Sequence, residues 1–551
     1  MRRVGILVVC ALAACKGGED KPGGQSAQAP PPKDTGAVTI RLAYGSEKKT
    51  WLEAELKQFD GRTKGGKRIR VQAEAMGSGE AATAIASGKL QPTVYSPASG
   101  VYVTLLNQAW LSSGGHTRPI APAGEPLVLS PVVIAMWKPM AEALGWPQKR
   151  LGWNDLLRVN ADPRGWGAFG HADWGRFKLG HTHPAYSNSG FLAVLAEAYA
   201  GAKKTRGLTR ADLDAKDTAA LVDKVEQTIV HYGKSTGFFA DKMLARGPSY
   251  LSAAILYENL VIESYAKSPP LPLVAIYPVE GTFWSDHPYS ILDAPWVGAE
   301  EREAADVLLQ FLRARPAQER ALALGFRPAD PGIAIGAPVD AAHGVDPKQP
   351  ETLLETPGAD TLARLLELWQ AHKKGSDVVL VFDKSGSMTG RPLTEAKAGA
   401  RAFLDVLHPT DLVTLMLFSS RLETTVGPVR LGDKKDEILR AVDAVEAHGG
   451  TALYDTIALA YDQVRRRAAA TPDKIYAVVV MTDGNDEGSR RSIDGLMRGL
   501  DDDAVKVFTI GYGDGADARV LGRIAEAARG QYLKGSLDNI VSVFEEMGAF
   551  L

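Results

Sequence analysis

Five oxygen-bearing side chains in the last third of the chain have the types and spacing to hold a metal ion. They are Asp383, Ser385 and Ser387 in Asp383-Lys384-Ser385-Gly386-Ser387, Thr451 in Gly449-Gly450-Thr451, and Asp483 in Asp483-Gly484. Two carboxylates and three hydroxyls form an all-oxygen donor set. Hard dications take such a set, so Mg²⁺ is expected and Mn²⁺ or Ca²⁺ would also fit, with water completing the shell. A water-held position can accept an acidic side chain from a protein partner. Taken alone, each segment is an ordinary Ser/Asp-rich turn after a strand; the metal reading rests on three of them in this order.

Other motifs fail on spacing. Gly233-Lys234-Ser235-Thr236 ends like a phosphate-binding loop, but Thr228 stands where that loop needs its first glycine. Gly511-Tyr512-Gly513-Asp514-Gly515 brings its third glycine one position early for a dinucleotide fingerprint. His171, His181 and His183 permit a zinc reading, yet polar loop residues near a cleft mouth are the preferred assignment. With no assembled nucleophile or base, the chain is expected not to be an enzyme.

The metal-ligating turns need a frame. Val378–Phe382, Val413–Phe418, Tyr476–Met481 and Val505–Ile510 are continuous apolar runs, and helical segments are expected at about 391–407, 434–447, 453–469, 490–500, 516–528 and 537–550. Buried strands alternating with amphipathic helices indicate a parallel sheet covered on both faces. The polar run 422–430 contains Pro428 and is expected at a sheet edge. VVLVFDKSGSM, GGTALYDTI and VVVMTDGND resemble the von Willebrand factor A domain with its metal-ion-dependent adhesion site. That resemblance implies a doubly wound, Rossmann-like fold and carries the ligand roles to Asp383, Ser385, Ser387, Thr451 and Asp483. Lys384 departs from the usual residue at its position, which is not a ligand position.

Residues 37–345 repeat strand, Gly/Ser loop and helix. VTIRLA leads to Gly45-Ser46-Glu47, and RIRVQA leads to Met76-Gly77-Ser78-Gly79. Loops feeding helix N-termini bind small polar or anionic ligands. YGSEKKTWLE, MGSGEAATAIASGKLQPTVYSPAS, PLVLSPVVIAMW, LYENLVIESY and FLRARPAQERALALGFRPAD resemble the bacterial extracellular solute-binding proteins that serve ABC importers. The resemblance implies a periplasmic-binding-protein-like α/β domain of two lobes, the first formed by about 37–125 and 275–345. It also implies a solute cleft lined by Ser46, Ser78, Ser96, Ser99, Ser187 and Tyr257. The serines could equally be helix caps, and the cleft could have lost its ligand.

The 551 residues carry 63 basic and 65 acidic side chains, a net charge of −2, and no long basic run. Nucleic acid is therefore not an expected partner. Only Cys10 and Cys15 are present, which excludes a disulfide scaffold and a Cys-ligated zinc beyond residue 15. Met1-Arg2-Arg3 followed by apolar residues 4–14 reads as a signal peptide, too short to span a bilayer. Leu12-Ala13-Ala14-Cys15 resembles the lipobox of bacterial lipoproteins, which implies cleavage before Cys15 and its lipidation. Lys16, rather than Asp, favours the outer membrane or cell surface.

The expected organisation is a signal peptide at 1–14, a lipid-anchored tether at 15–36, a solute-binding-like domain at 37–345, a linker and helix at 346–372, and a von Willebrand factor A domain at 373–551. The expected function is metal-dependent binding of a protein partner outside the cytoplasmic membrane, with a solute-binding module beside it. The alternative is an ABC-importer receptor with an accessory docking domain.

Overall fold

A computed structural model describes residues 36–471, 473–483, 485–500, 504–512, 516–535 and 543. Cys15, the lipobox and all of the tether but Gly36 lie outside the described residues, as do Gly513–Gly515 and nearly all of the expected helix 537–550. Among the described residues, no helix is long and apolar enough to cross a membrane.

Three mixed α/β sheets organise the chain. The first runs Thr63–Lys64, Lys67–Met76, Ala37–Gly45, Val94–Ser96, Pro288–Ile291, Glu125–Pro126. Its central strand Ala37–Gly45 is parallel to both neighbours. Ile40 and Leu42 alternate inward onto Trp51, Phe59 and Leu308, the pattern expected where strands are covered by helices.

The second sheet runs Leu273–Ile276, Val128–Trp137, Ala253–Tyr257, Leu179–Thr182, Ile229–Gly233, with Trp284–Ser285 and Arg327–Pro328 also paired to Val128–Trp137. The chain thus crosses between sheets three times, near 127, 287 and 326. This corrects the lobe assignment. Leu273–Ile276 stays in the second sheet, paired antiparallel with Val128–Trp137, and the return to the first sheet is made by Pro288–Ile291. Hydropathy alone could not decide this, because it marks a strand as buried and not which sheet it pairs with.

The segment expected as linker is tied down. Thr282 donates its N–H to the Thr352 carbonyl at 3.1 Å, and Leu354 donates to the Thr282 carbonyl at 2.9 Å. The helix Ala359–His372 follows, burying Leu362, Leu365, Leu368 and Trp369. Leu366 beside them is only half-buried.

The third sheet runs Leu422–Arg430, Leu412–Phe418, Ser376–Asp383, Ile475–Thr482, Val505–Tyr512, Tyr532–Gly535. Only Leu422–Arg430, the edge strand foreseen from Pro428, is antiparallel. The first strand shows why an unbroken apolar run was needed. Val378, Leu380 and Phe382 face Phe403 and Ile438 on one side, while Val379 and Val381 face Ile457, Tyr461 and Val464 on the other. The expected helices appear as Arg391–Val406, Leu431–Asp443, Leu453–Ala470, Ile493–Met497 and Ala518–Ala527. The strand Tyr532–Gly535 was not foreseen; four residues, two half-buried, one exposed and one buried, give too little pattern to read.

Chain order reverses at Ser376–Asp383. Connections first add strands on one side of it, then on the other. The carboxyl ends of Ser376–Asp383 and Ile475–Thr482 therefore border a topological switch point, where loops diverge and leave a crevice.

Candidate functional site

Asp383 is the last residue of its strand, and Asp483 follows directly on Ile475–Thr482, so both stand at the switch point. Asp383 is fully buried and held by two donors: the Ser385 N–H to Oδ1 at 2.8 Å and the Thr482 hydroxyl to Oδ2 at 2.6 Å. Ser385 and Ser387 hydroxyls lie 3.1 Å apart, and Ser387 donates to Asp483 Oδ1 at 2.9 Å. Four of the five expected ligands thus form one hydrogen-bonded set. Thr451 is brought in by backbone: Gly386 donates to the Gly449 carbonyl at 2.9 Å, and Ala452 donates to the Ser419 carbonyl at 2.7 Å. Gly449 has φ +82°, and a Cβ there would sit 2.7 Å from Ser419 Oγ, so only glycine lets these loops close up.

The electrostatics suit a cation. Burial first, then the charge of Asp483, pushes the Asp383 carboxyl up to about 6, and burial raises Asp483. Two carboxylates that resist ionising side by side are relieved by a dication between them. Ser387 is exposed, so the rim is open to a ligand from outside. Lys384 turns away and pairs with Glu423 at 2.8 Å, in keeping with a non-ligand position. Sequence reasoning missed Thr482, whose only signal was a hydroxyl at the end of an apolar strand.

The six expected cleft residues converge on the seam between the first two sheets, and all are buried. From the first lobe, Ser46 donates to Ser235 Oγ at 3.0 Å, Ser78 Oγ accepts from the Ala98 N–H at 3.0 Å, and Ser99 donates to Asn188 Oδ1 at 2.7 Å. From the second, Ser187 lies 3.1 Å from Thr236 Oγ1, and Asn188 donates to the Tyr257 hydroxyl at 2.9 Å. The Ser96 hydroxyl is buried and has no partner. Ser99, Ser187 and Ser235 each occupy the N-cap position of a helix, but none of the three side chains caps it; Ser99 and Ser235 bond across the seam instead. Asn188, Ser235 and Thr236 were missed. The Gly-Lys-Ser-Thr motif that fails as a phosphate loop held two of them, and its position ahead of a helix was the available signal.

Beside the seam sits a buried charged trio. Lys48 donates to Glu47 at 2.9 Å and lies 3.3 Å from His287 Nδ1. Burial works against the Glu47 carboxylate, but Lys48 and His287 outweigh it and hold that group at about 2.

The histidines need correction. His181 is no loop residue at a cleft mouth: it lies within Leu179–Thr182, fully buried, 3.0 Å from Glu226. His183 packs on the Trp369 ring at 4.6 Å, and His171 stacks on Trp174 at 3.8 Å. A single His in an apolar strand gave no hint of carboxylates approaching from distant helices.

Two lobes meeting on a hydroxyl-rich seam, followed by a doubly wound domain with oxygen donors at its switch point, define a two-module binding protein. The chain belongs to the bacterial extracellular solute-binding proteins, whose family model matches residues 40–327. The von Willebrand factor type A domain model matches residues 377–543. The chain is 30% identical over 183 residues to the uncharacterized protein sll0103 of Synechocystis, covering 31% of this chain and 42% of that protein. It is 27% identical over 158 residues to human inter-alpha-trypsin inhibitor heavy chain H4, covering 27% of this chain and 17% of that protein. The match therefore spans less than half the length of either relative. Among solved structures, the sulfate-binding protein of Mycobacterium tuberculosis matches with TM-score 0.37 and 19% identity, over 54% of this chain and 88% of that one. A von Willebrand factor type A protein of Catenulispora acidiphila matches with TM-score 0.29 and 22% identity, over 32% and 42%.

Proposed function

We propose that this chain is a non-enzymatic, lipid-anchored binding protein on the extracytoplasmic side of a membrane, and that its C-terminal domain binds a protein partner through one divalent cation. Asp383, Ser385, Ser387, Thr451 and Asp483 would hold the ion, Mg²⁺ by the hardness of the donors, with Mn²⁺ or Ca²⁺ as substitutes. The observation that carries the reading is the hydrogen-bonded set Asp383–Ser385–Ser387–Asp483 at the switch point. In the bound state, the cation supplies a positive centre that a partner's carboxylate can complete. Ser387 stands at the exposed rim, where a partner would approach, while Asp383, buried and held by Thr482, would hold the ion. Calorimetric titration with Mg²⁺ tests this: the wild type should bind one ion at the rim and the Asp383→Ala chain should not. Equal binding by both would remove the metal-dependent reading.

A second reading is favoured by the seam. Three helix N-caps and a partnerless buried hydroxyl at Ser96 point toward a small polar or anionic solute. The chain would then act as a receptor for an ABC-type importer, with the C-terminal domain as a docking accessory. Titration with small oxyanions, sugars and short peptides separates the two. A saturable ligand lost on Ser96→Ala and Tyr257→Phe supports the receptor role, and no heat with any of them removes it.

A further inference from the structure

His181 belongs to a buried cluster apart from the rim. His181 lies on Leu179–Thr182, Glu197 on the helix Asn188–Ala202, and Glu226 at the end of the helix Lys216–Glu226. All three are fully buried. One ligand atom from each lies within 4.8 Å of the other two.

The surrounding bonds orient two of the three toward a common centre. His181 Nδ1 faces the Thr182 carbonyl at 2.7 Å, which assigns its hydrogen there and leaves Nε2 facing inward, 3.0 Å from Glu226 Oε1. Backbone-anchored Nδ1 is the usual support of a metal-bound imidazole. The other Glu226 oxygen accepts from the Tyr232 hydroxyl at 2.7 Å and the Trp369 indole at 3.0 Å, so Oε1 is the oxygen left to turn inward. Neighbouring ligands around a tetrahedral ion with arms of about 2.0–2.1 Å stand roughly 3.3 Å apart, close to the His181–Glu226 separation.

Glu197 supplies the independent observation. Both of its carboxylate oxygens are buried and have no hydrogen-bond partner. A carboxylate left bare inside a protein is costly, and costlier beside a second carboxylate. Every other polar atom of the cluster is engaged; the unmet acceptor capacity lies on the side where an ion would sit.

We propose that His181, Glu197 and Glu226 form a second metal site, built for a borderline transition-metal dication such as Zn²⁺. One nitrogen and carboxylate oxygens suit Zn²⁺, whereas the all-oxygen rim suits Mg²⁺, so the two sites differ in the metal they select. Two carboxylates balance the dication's charge within the apolar interior. The ion would also fix Glu226, and through it Trp369 on the helix Ala359–His372, which joins the solute-binding domain to the C-terminal domain. The role is structural, since the shell is sealed from solvent.

The test uses the full chain carrying Asp383→Ala, so that the rim cannot contribute. After saturation with Zn²⁺ and exhaustive dialysis, elemental analysis should find one Zn²⁺ per chain, and none when Glu197→Gln is added. Loading the same Asp383→Ala chain with Co²⁺ should give visible ligand-field bands of a nitrogen- and oxygen-ligated ion. Should Glu197→Gln fail to fold, the Co²⁺ spectrum decides alone. No zinc and no bands in a chain that folds, or zinc retained by a folded Glu197→Gln chain, overturns the site. Failure at the rim leaves this measurement untouched, because the rim is already disabled in it.

Discussion

The sharpest consequence of the lobe seam concerns one methyl group. Gly79 opens the helix Ser78–Ala86, and a Cβ there would lie 2.1 Å from the Ala185 carbonyl oxygen and 2.8 Å from a Tyr102 ring carbon. Ordinary contact begins near 3.4 Å, so Gly79→Ala must push the facing loop of the other lobe back by more than 1 Å. The Gly79 and Glu80 N–H groups donate to the Tyr186 carbonyl at 2.9 and 3.1 Å, and Lys234 pairs with Glu80 at 2.8 Å. Two backbone bonds at roughly 1 kcal/mol each, plus a half-exposed ion pair at up to about 1, make the lobe contact about 2–3 kcal/mol weaker. That is a shift of roughly 30- to 150-fold toward separated lobes. Small-angle X-ray scattering should show a larger radius of gyration for Gly79→Ala, with an unchanged circular dichroism spectrum. Gly522→Ala is the control, since a Cβ there meets nothing within 4 Å. Scattering curves for Gly79→Ala and wild type that superimpose would refute the reasoning.

Two further outcomes follow from buried charge. Arg327 grips Glu258 with two bonds of 2.8 and 2.7 Å in a buried setting. Arg327→Met should lower stability by about 3–5 kcal/mol in a urea titration, and Arg327→Met with Glu258→Met should recover much of the loss. Burial drops the Lys374 ammonium from 10.5 to about 8. The unfolded chain then binds more protons than the folded one between these values, so this group's contribution makes stability rise with pH from 8 to 10.5, by on the order of 3 kcal/mol. Denaturant midpoints of wild type minus Lys374→Met, measured across that range, should follow this slope; parallel curves would contradict it.

How much was legible in the sequence depends on how local the signal is. The rim was readable because Asp383, Ser385, Ser387 and Asp483 follow apolar strands whose ends a parallel sheet puts at one edge, and Thr451 follows a Gly-Gly turn just ahead of the helix Leu453–Ala470. The seam serines were readable as helix caps, and their meeting across two lobes followed from family resemblance. What stayed hidden depends on tertiary approach. Neither the return strand Pro288–Ile291 (PYSI) nor Leu273–Ile276 (LVAI) carries a local mark of which sheet it joins, though they lie in different sheets. Glu226 ends an amphipathic helix where a glutamate ordinarily faces water, and Glu197 is the one carboxylate of the apolar, almost wholly buried helix Asn188–Ala202; that composition marks Glu197 as buried, but nothing local places either beside His181.

The most direct measurement is calorimetric titration of the purified full chain with Mg²⁺, set against Asp383→Ala and Ser387→Ala chains of equal thermal stability. One Mg²⁺ per wild-type chain, none for Asp383→Ala and weakened binding for Ser387→Ala is the expected result. A wild type that binds no dication at all, or an Asp383→Ala chain that binds Mg²⁺ as the wild type does, would contradict it.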